Sequence, residues 1–179
     1  NNDLVVDELQ IARSAAYNCG ACVIQYAICK EECQELLKAA KAVDLEVIVA
    51  VTSQEEAQAA IDLGARILSV IHVDGIDNKV AVISNLNIPE NAQVAMIANV
   101  MAKKNKQLQE IEEAWGLRDK GFHCAWVGEA LFKSGADFTE HPGAIIKAMR
   151  SKSSLKWASP NAAGGKGEGA REYLGDIMM

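Results

Sequence analysis

Short runs of apolar, β-branched residues alternate along this chain with longer segments of helical periodicity. The runs predict strands near residues 4–6, 22–24, 46–51, 67–71, 94–97 and 125–127. The segments between them predict helices over 8–18, 30–43, 107–115, 129–133 and 142–150, and one from the capping box at Ser53 to Gly64. This repeat predicts parallel strands with right-handed crossovers, as in a doubly wound sheet or a (β/α)8 barrel.

Two details of this pattern carry expectations of their own. In the first helix one face consists of Leu9, Ala12, Ala15 and Ala16, and we expect that face to be buried. The stretch from about residue 74 to 89 predicts irregular structure, in which we interpret Asp74, Asp77 and Lys79 as solvated loop charges. Six strands are fewer than the eight of a barrel, so a barrel interpretation leaves the first strands outside this sequence.

Composition narrows the class of protein. The 179 residues are 50% apolar and 23% charged, which fits one globular, soluble core without a membrane span or a signal peptide. The net charge of −6 and the lack of an arginine-rich stripe argue against nucleic acid as a partner.

The cysteine pattern predicts the compartment. Five cysteines, an odd number, in a chain with its own core favour a reducing intracellular compartment, either cytoplasm or plastid stroma. Cys22 falls in a predicted strand and Cys33 in a predicted helix, so we expect buried, apolar-like thiols and no zinc site or other metal site.

Several motifs of this sequence resemble, in chain order, segments of the indole-3-glycerol phosphate synthase family. The segment Asn2-Asp3-Leu4-Val5-Val6 resembles the end of that family's strand three, and residues 20–24, 45–51, 63–68 and 127–131 resemble its strands four, five, six and eight. The match is collinear over about residues 2–149. The resemblance implies a TIM barrel, with about six of its eight β/α units within a domain of residues 1–150.

The resemblance also implies an activity. The family closes the indole ring of 1-(2-carboxyphenylamino)-1-deoxyribulose 5-phosphate, with loss of carbon dioxide and water and with no cofactor. It uses a lysine acid after strand three, carboxylates at the ends of strands five and seven, and an Asn and an Arg after strand six. At those positions this sequence has, in the same order, Asn2, Ala50, Ile97, Ile71 and Val73.

These replacements predict a pseudoenzyme. None of the five side chains exchanges a proton near neutral pH, and one positioned acid or base contributes roughly 10²- to 10⁴-fold in rate. We therefore predict a structural or accessory subunit of a larger assembly, with no catalytic residues. The alternatives are the family's ring closure with displaced groups, another lyase acting on a phosphorylated small molecule, or a module that senses a phosphometabolite.

Part of a phosphate site remains. Gly128 and Glu129 begin a short predicted helix whose backbone N–H groups suit an anion, so sugar phosphate is expected to bind weakly if at all, with any bound anion at this helix start. The opposing half of the family's site is replaced by Asn99, and Gly128 as a simple packing turn is the alternative. His72 has aliphatic neighbours and is interpreted as a structural or surface histidine.

The C-terminal residues have a different composition. Residues 151–169 are rich in Gly, Ser and Lys and predict a flexible linker. Residues 170–179 predict a short amphipathic helix that docks either on its own barrel or on a protein partner, and we expect a partner to provide at least part of that surface. The predicted docking residues are Trp157, Tyr173, Leu174, Ile177 and Met178.

Overall fold

Strands and helices alternate along the chain in a computed structural model that describes residues 1–102, 108–129, 131 and 142–150. The chain divides into two compact units, residues 1–98 and 99–179. The first unit holds α1 (Glu8–Ala16), β1 (Ala21–Gln25), α2 (Tyr26–Cys29), α3 (Cys33–Ala42), β2 (Glu46–Val51), α4 (Gln54–Asp62), β3 (Ile67–Val70), α5 (Ile76–Ile83) and most of β4 (Ala95–Val100). The second holds α6 (Leu108–Asp119), β5 (Cys124–Val127) and α7 (Pro142–Arg150).

The strands of the first unit pair in parallel and in chain order. Cys22 lies level with Val47, Val49 with Leu68, and Leu68 with Met96. Each parallel neighbour is reached through an intervening helix, as the alternating pattern predicts. The α/β class and the TIM-barrel type of fold predicted from the sequence are confirmed.

Burial distinguishes the two faces of these strands. Every residue of one face is buried, and this face, here called the outer face, comprises Cys22, Ile24, Val47, Val49, Val51, Leu68, Val70, Met96 and Ala98. The buried residues of α3 and α4, among them Leu36 and Ala57, belong to helices that contact β2. The inner face is less covered, since Ile48, Ile67 and Ile97 are only half-buried.

Local signals explain several helix ends. The Ser53 hydroxyl accepts a hydrogen bond from the Glu56 backbone N–H at 3.3 Å, so the predicted N-cap of α4 is present. Gly64, just past the end of α4, has a φ of +96°, which glycine adopts without strain. The predicted helix 142–150 has those bounds as α7, with Pro142 in its first turn.

Three expectations about local structure are wrong. Residues 4–6 form no strand, although Val5 is buried. The predicted helix 30–43 is present as the slightly shorter α3, Cys33–Ala42. Leu9 is 79% exposed, because α1 buries Ile11 and Ser14 instead of the predicted face.

The third error concerns the stretch predicted to be irregular. It contains helix α5, and Lys79 lies within that helix with 1% of its surface exposed. The interpretation of Lys79 as a solvated loop charge is therefore wrong. Asp77 lies in the first turn of the same helix, where its carboxylate interacts favourably with the positive end of the helix dipole.

Helices α6 and α7 pack together in the second unit. Their shared cluster consists of Ile111, Trp115, Ile145 and Ala148. The Trp115 indole Nε1–H donates a buried hydrogen bond of 3.0 Å to the Ala148 carbonyl oxygen. The linker 151–169, the predicted helix 170–179 and most of the predicted helix 129–133 lie outside the described residues. Within the described part of the chain, no helix is long and apolar enough to cross a membrane.

Candidate active-site end of the sheet

One row of inner-face residues crosses the sheet near the carboxyl ends of its strands. Gln25 lies level with Ala50, Ala50 with Ser69, and Ser69 with Ile97. Active sites of barrel proteins form at this end of the strands, where side chains of neighbouring strands meet. The row includes Ala50 and Ile97, the two positions where the resemblance implies carboxylates, and none of its four side chains ionises.

Ala50 and Ser69 in the middle of this row are deeply buried, with 2% and 1% of their surfaces exposed. Among the residues that the structure describes, the Ser69 Oγ has no hydrogen-bond partner. Sequence analysis did not identify this group. The available signal was one hydroxyl between Leu68 and Val70 in an otherwise apolar strand.

The segment after β3 holds the two other positions near the strand ends. Ile71 is half-buried, and its backbone N–H donates to the Val51 carbonyl oxygen at 3.0 Å, which extends the pairing of β3 with β2. Val73 is half-buried as well. His72 between them is exposed and has a φ of +55°, as fits a surface histidine in a turn.

Asn2 follows a residue that pairs with β1. The Asn1 amine donates to the Ala21 carbonyl oxygen at 2.7 Å, and the Val23 backbone N–H donates to the Asn1 carbonyl oxygen at 3.0 Å. These two bonds form a parallel bridge that sets Asn1 level with Cys22 of the outer face. By alternation Asn2 belongs to the inner face, as Ala50 and Ile97 do, and it is exposed there.

The predicted phosphate site is described only in part. Gly128 and Glu129 are both exposed, and the Leu131 backbone N–H donates to the Gly128 carbonyl oxygen at 3.0 Å, closing a turn. Asn99 is half-buried in β4. Phosphate binding at Gly128 and Glu129 stays a prediction.

The cysteines divide into buried and accessible thiols. Cys22, Cys29 and Cys33 are buried, and burial raises the pKa of each thiol, that of Cys33 to about 11. The Cys29 thiol also donates to the Val5 carbonyl oxygen at 3.3 Å. Cys19 is only half-buried, against the expectation of buried thiols, and Cys124 is exposed. No cluster of three metal-binding side chains occurs among the residues that the structure describes.

Solved structures with the same fold are numerous but distant in sequence. The native KDPGal structure is 20% identical over 82% of this chain and 66% of that chain, with a TM-score of 0.59. An archaeal fructose 1,6-bisphosphate aldolase is 12% identical over 77% and 61%, with a TM-score of 0.61. An HpcH/HpaI aldolase/citrate lyase family protein from Burkholderia cenocepacia is 17% identical over 83% and 73%, also at 0.61.

These likenesses show the fold alone, and the chain spans about two thirds of the length of these proteins. No curated protein matches the chain. The family model of indole-3-glycerol phosphate synthase matches residues 1–140. On that match the chain belongs to the indole-3-glycerol phosphate synthase family.

Proposed function

We propose that this chain is a catalytically degenerate member of its family that serves as a structural or accessory subunit of a larger assembly. One observation carries the proposal. The inner-face row at the strand ends consists of Gln25, Ala50, Ser69 and Ile97, in which an amide and one hydroxyl are the only polar groups.

Ring closure by this family requires proton transfer to and from the substrate. The amides of Asn2 and Gln25 hold no proton that leaves near neutral pH, and Ala50 and Ile97 hold none at all. Each positioned acid or base contributes roughly 10²- to 10⁴-fold in rate. Because such groups act as a unit, replacing all of them removes the catalysed proton transfer as a whole. The half-buried aliphatic side chains of Ile71 and Ile97 also disfavour a polar, phosphorylated substrate at this end of the strands.

Exposed apolar surface supports a role within an assembly. Ile48, Ile67 and Ile97 on the inner face are half-buried. Leu4 and Val6 are each about half exposed, beside a Val5 that contacts Cys29. Surface of this kind is ordinarily covered, so it favours contact with further protein. The three buried thiols fit a reducing intracellular compartment, which we propose with the subunit role.

The first test is an assay of the family's own reaction. The purified chain is supplied with 1-(2-carboxyphenylamino)-1-deoxyribulose 5-phosphate, and indole-3-glycerol phosphate is measured by chromatography. We expect no product above the protein-free background. Turnover at a thousandth of an ordinary enzyme's rate, about 0.01 per second, would overturn the proposal. It would favour the alternative, an active carbon–carbon lyase, which family membership supports.

A binding measurement separates loss of chemistry from loss of the site. Calorimetric titration with inorganic phosphate and with the same substrate should show weak binding or none. Tight substrate binding without turnover would contradict a purely structural role and favour a sensing module. Loss of any weak phosphate binding in the variant Gly128→Pro, which lacks one backbone N–H, would locate it at the predicted helix start.

A further inference from the structure

A groove of about 430 Å³ lies within the second unit, and its described lining residues include none of the row at the strand ends. It is lined by side chains of α6, β5 and α7 and of the segments next to β5. Its apolar walls include Leu117, Phe122, Val127, Leu131 and Ile146. The packing of α6 on α7 does not fill it, because Ile145 and Ala148 face α6 while Ile146 is exposed and Met149 half-buried.

Among the described residues that line the groove, the charged side chains are basic. Arg118 and Arg150 line it, together with His123, and none of the described lining residues is acidic. Arg118 also lies 3.5 Å from the Asp119 carboxylate, measured from Nε to Oδ1, so part of its charge is already balanced. Both arginines are at the carboxyl ends of their helices, α6 and α7. The groove therefore suits an occupant with an apolar face and a net negative charge.

The sequence that follows the groove has those two properties. Residues 170–179 carry an apolar stripe at helical spacing, namely Ala170, Tyr173, Leu174, Ile177 and Met178. The same ten residues hold Glu172 and Asp176 against a single Arg171. Their connection to the groove starts at Arg150, which is itself a lining residue.

We propose that residues 170–179 dock in this groove of their own chain as an amphipathic helix. The intervening residues 151–169 are rich in Gly and Ser, and a flexible linker of that length has an end-to-end distance of about 25 Å, ample to return to a groove that adjoins Arg150. Such a tether holds the segment at a local concentration in the millimolar range, which favours this chain's own groove over that of a second copy. The proposal is independent of the catalytic status of the strand ends.

Cys124 gives a direct readout, because its exposed thiol lines the groove. We would label the full chain with iodoacetamide at pH 8 and measure the alkylation rate of Cys124 by peptide mass spectrometry. The variants are Leu174→Asp on the stripe, Ile146→Asp on the groove wall, and the matched control Gly175→Asp off the stripe. Ile146 is 42% exposed, so the fold tolerates this substitution.

A helix docked about 90% of the time slows alkylation of a covered thiol about tenfold. We therefore expect Leu174→Asp and Ile146→Asp to speed labelling of Cys124 about tenfold and Gly175→Asp to leave it near the parent rate. In the chain that ends at Arg150, Cys124 should be labelled as fast as in Leu174→Asp. Adding the synthetic peptide 170–179 to this shortened chain should slow the labelling again.

Two results would overturn the proposal. Equal Cys124 rates in the parent, both groove variants and the shortened chain would mean that the segment does not cover the groove. Protection that disappears on dilution from micromolar to nanomolar protein would mean that a second copy or another protein provides the cover. Protection independent of concentration supports docking within one chain.

Discussion

Ser69 of β3 and Ile97 of β4 occupy paired positions in the parallel register, and the Ser69 hydroxyl at this point is buried with no hydrogen bond to any described residue. An aliphatic side chain thus lies where the family resemblance implies a carboxylate, next to a hydroxyl that no described residue hydrogen-bonds. A buried hydroxyl in this state costs about 1 to 3 kcal/mol relative to its hydrated form. At this pair the strand ends carry one polar side-chain atom, the Ser69 Oγ, and a hydroxyl does not ionise near neutral pH.

The first prediction concerns that hydroxyl. Ser69→Ala should raise the free energy of unfolding by about 1 kcal/mol, because it removes an unsatisfied polar group and leaves only a small void. Urea unfolding followed by circular dichroism measures the change.

Ser14→Ala is the matched control, since Ser14 is equally buried but its hydroxyl donates to the Gln10 carbonyl oxygen at 2.8 Å and accepts from the Asn1 side-chain amide at 2.9 Å. This control should lower stability by about 0.5 to 1 kcal/mol. If both substitutions destabilise alike, the Ser69 hydroxyl has a partner in solution.

The second prediction tests whether a carboxylate still fits at the strand ends. Ala50→Glu should lower the free energy of unfolding by about 3 kcal/mol or more, since it adds volume and a charge at a position that is 2% exposed. Ala12→Glu, on the exposed face of α1, should change it by less than about 0.5 kcal/mol. The denaturant midpoints of the two variants and the parent, measured at pH 7, give the two changes in stability. Equal, small losses in the two variants would reveal a polar pocket that still accepts the family's acid.

Much of the fold follows from local patterns, and the errors have physical causes. The β-branched runs locate five strands because each is short, apolar and followed by a helix start. Helix α5 was missed because Gly75 at its N-cap position has a φ of +82° and offers no side-chain cap. Burial of Lys79 depends on long-range packing, which local periodicity does not encode.

The candidate site also depends on long-range packing that local sequence patterns do not encode. The family resemblance located Ala50 and Ile97, but it did not identify Ser69, because its place between them depends on the register of three strands. The exposed Leu9 has a related cause. A short helix with many alanines offers two plausible faces, and only contact with α3 selects the one that holds Ile11.

The third prediction concerns alkaline pH. Burial raises the pKa of Cys33 from 9.0 to about 11, so the folded state keeps the thiol protonated where the unfolded state ionises. The unfolded state then binds fewer protons, and stability must fall as pH rises from about 9 to 11. Cys33→Ala should show a smaller fall over this interval than the parent, whereas Ser14→Ala, which replaces a buried side chain that is not a thiol, should follow the parent.

Urea unfolding at pH 7, 9 and 10.5 under reducing conditions measures these slopes. Other groups titrate in the same range, so the informative quantity is the difference between each variant and the parent. Identical slopes for the parent and Cys33→Ala would show that Cys33 reaches solvent in the folded state.

The last prediction concerns the contact that joins α6 to α7. The Ala148 carbonyl lies in the last turn of α7, where carbonyl groups have no partner within the helix, and the Trp115 indole N–H satisfies it at 3.0 Å in a buried setting. Trp115→Phe removes this donor and leaves a cavity, so we expect a loss of about 2 kcal/mol. The matched variant Trp126→Phe, at a half-buried position of β5, should cost less than about 1 kcal/mol. Urea unfolding of both variants, followed by circular dichroism, provides the comparison, and proteolysis before the transition reports whether α7 is released first. Equal losses of stability in the two variants would mean that the Trp115 indole stabilises the protein through its volume and not through its hydrogen bond. Helix α7 would then be held by Ile145 and its apolar neighbours alone.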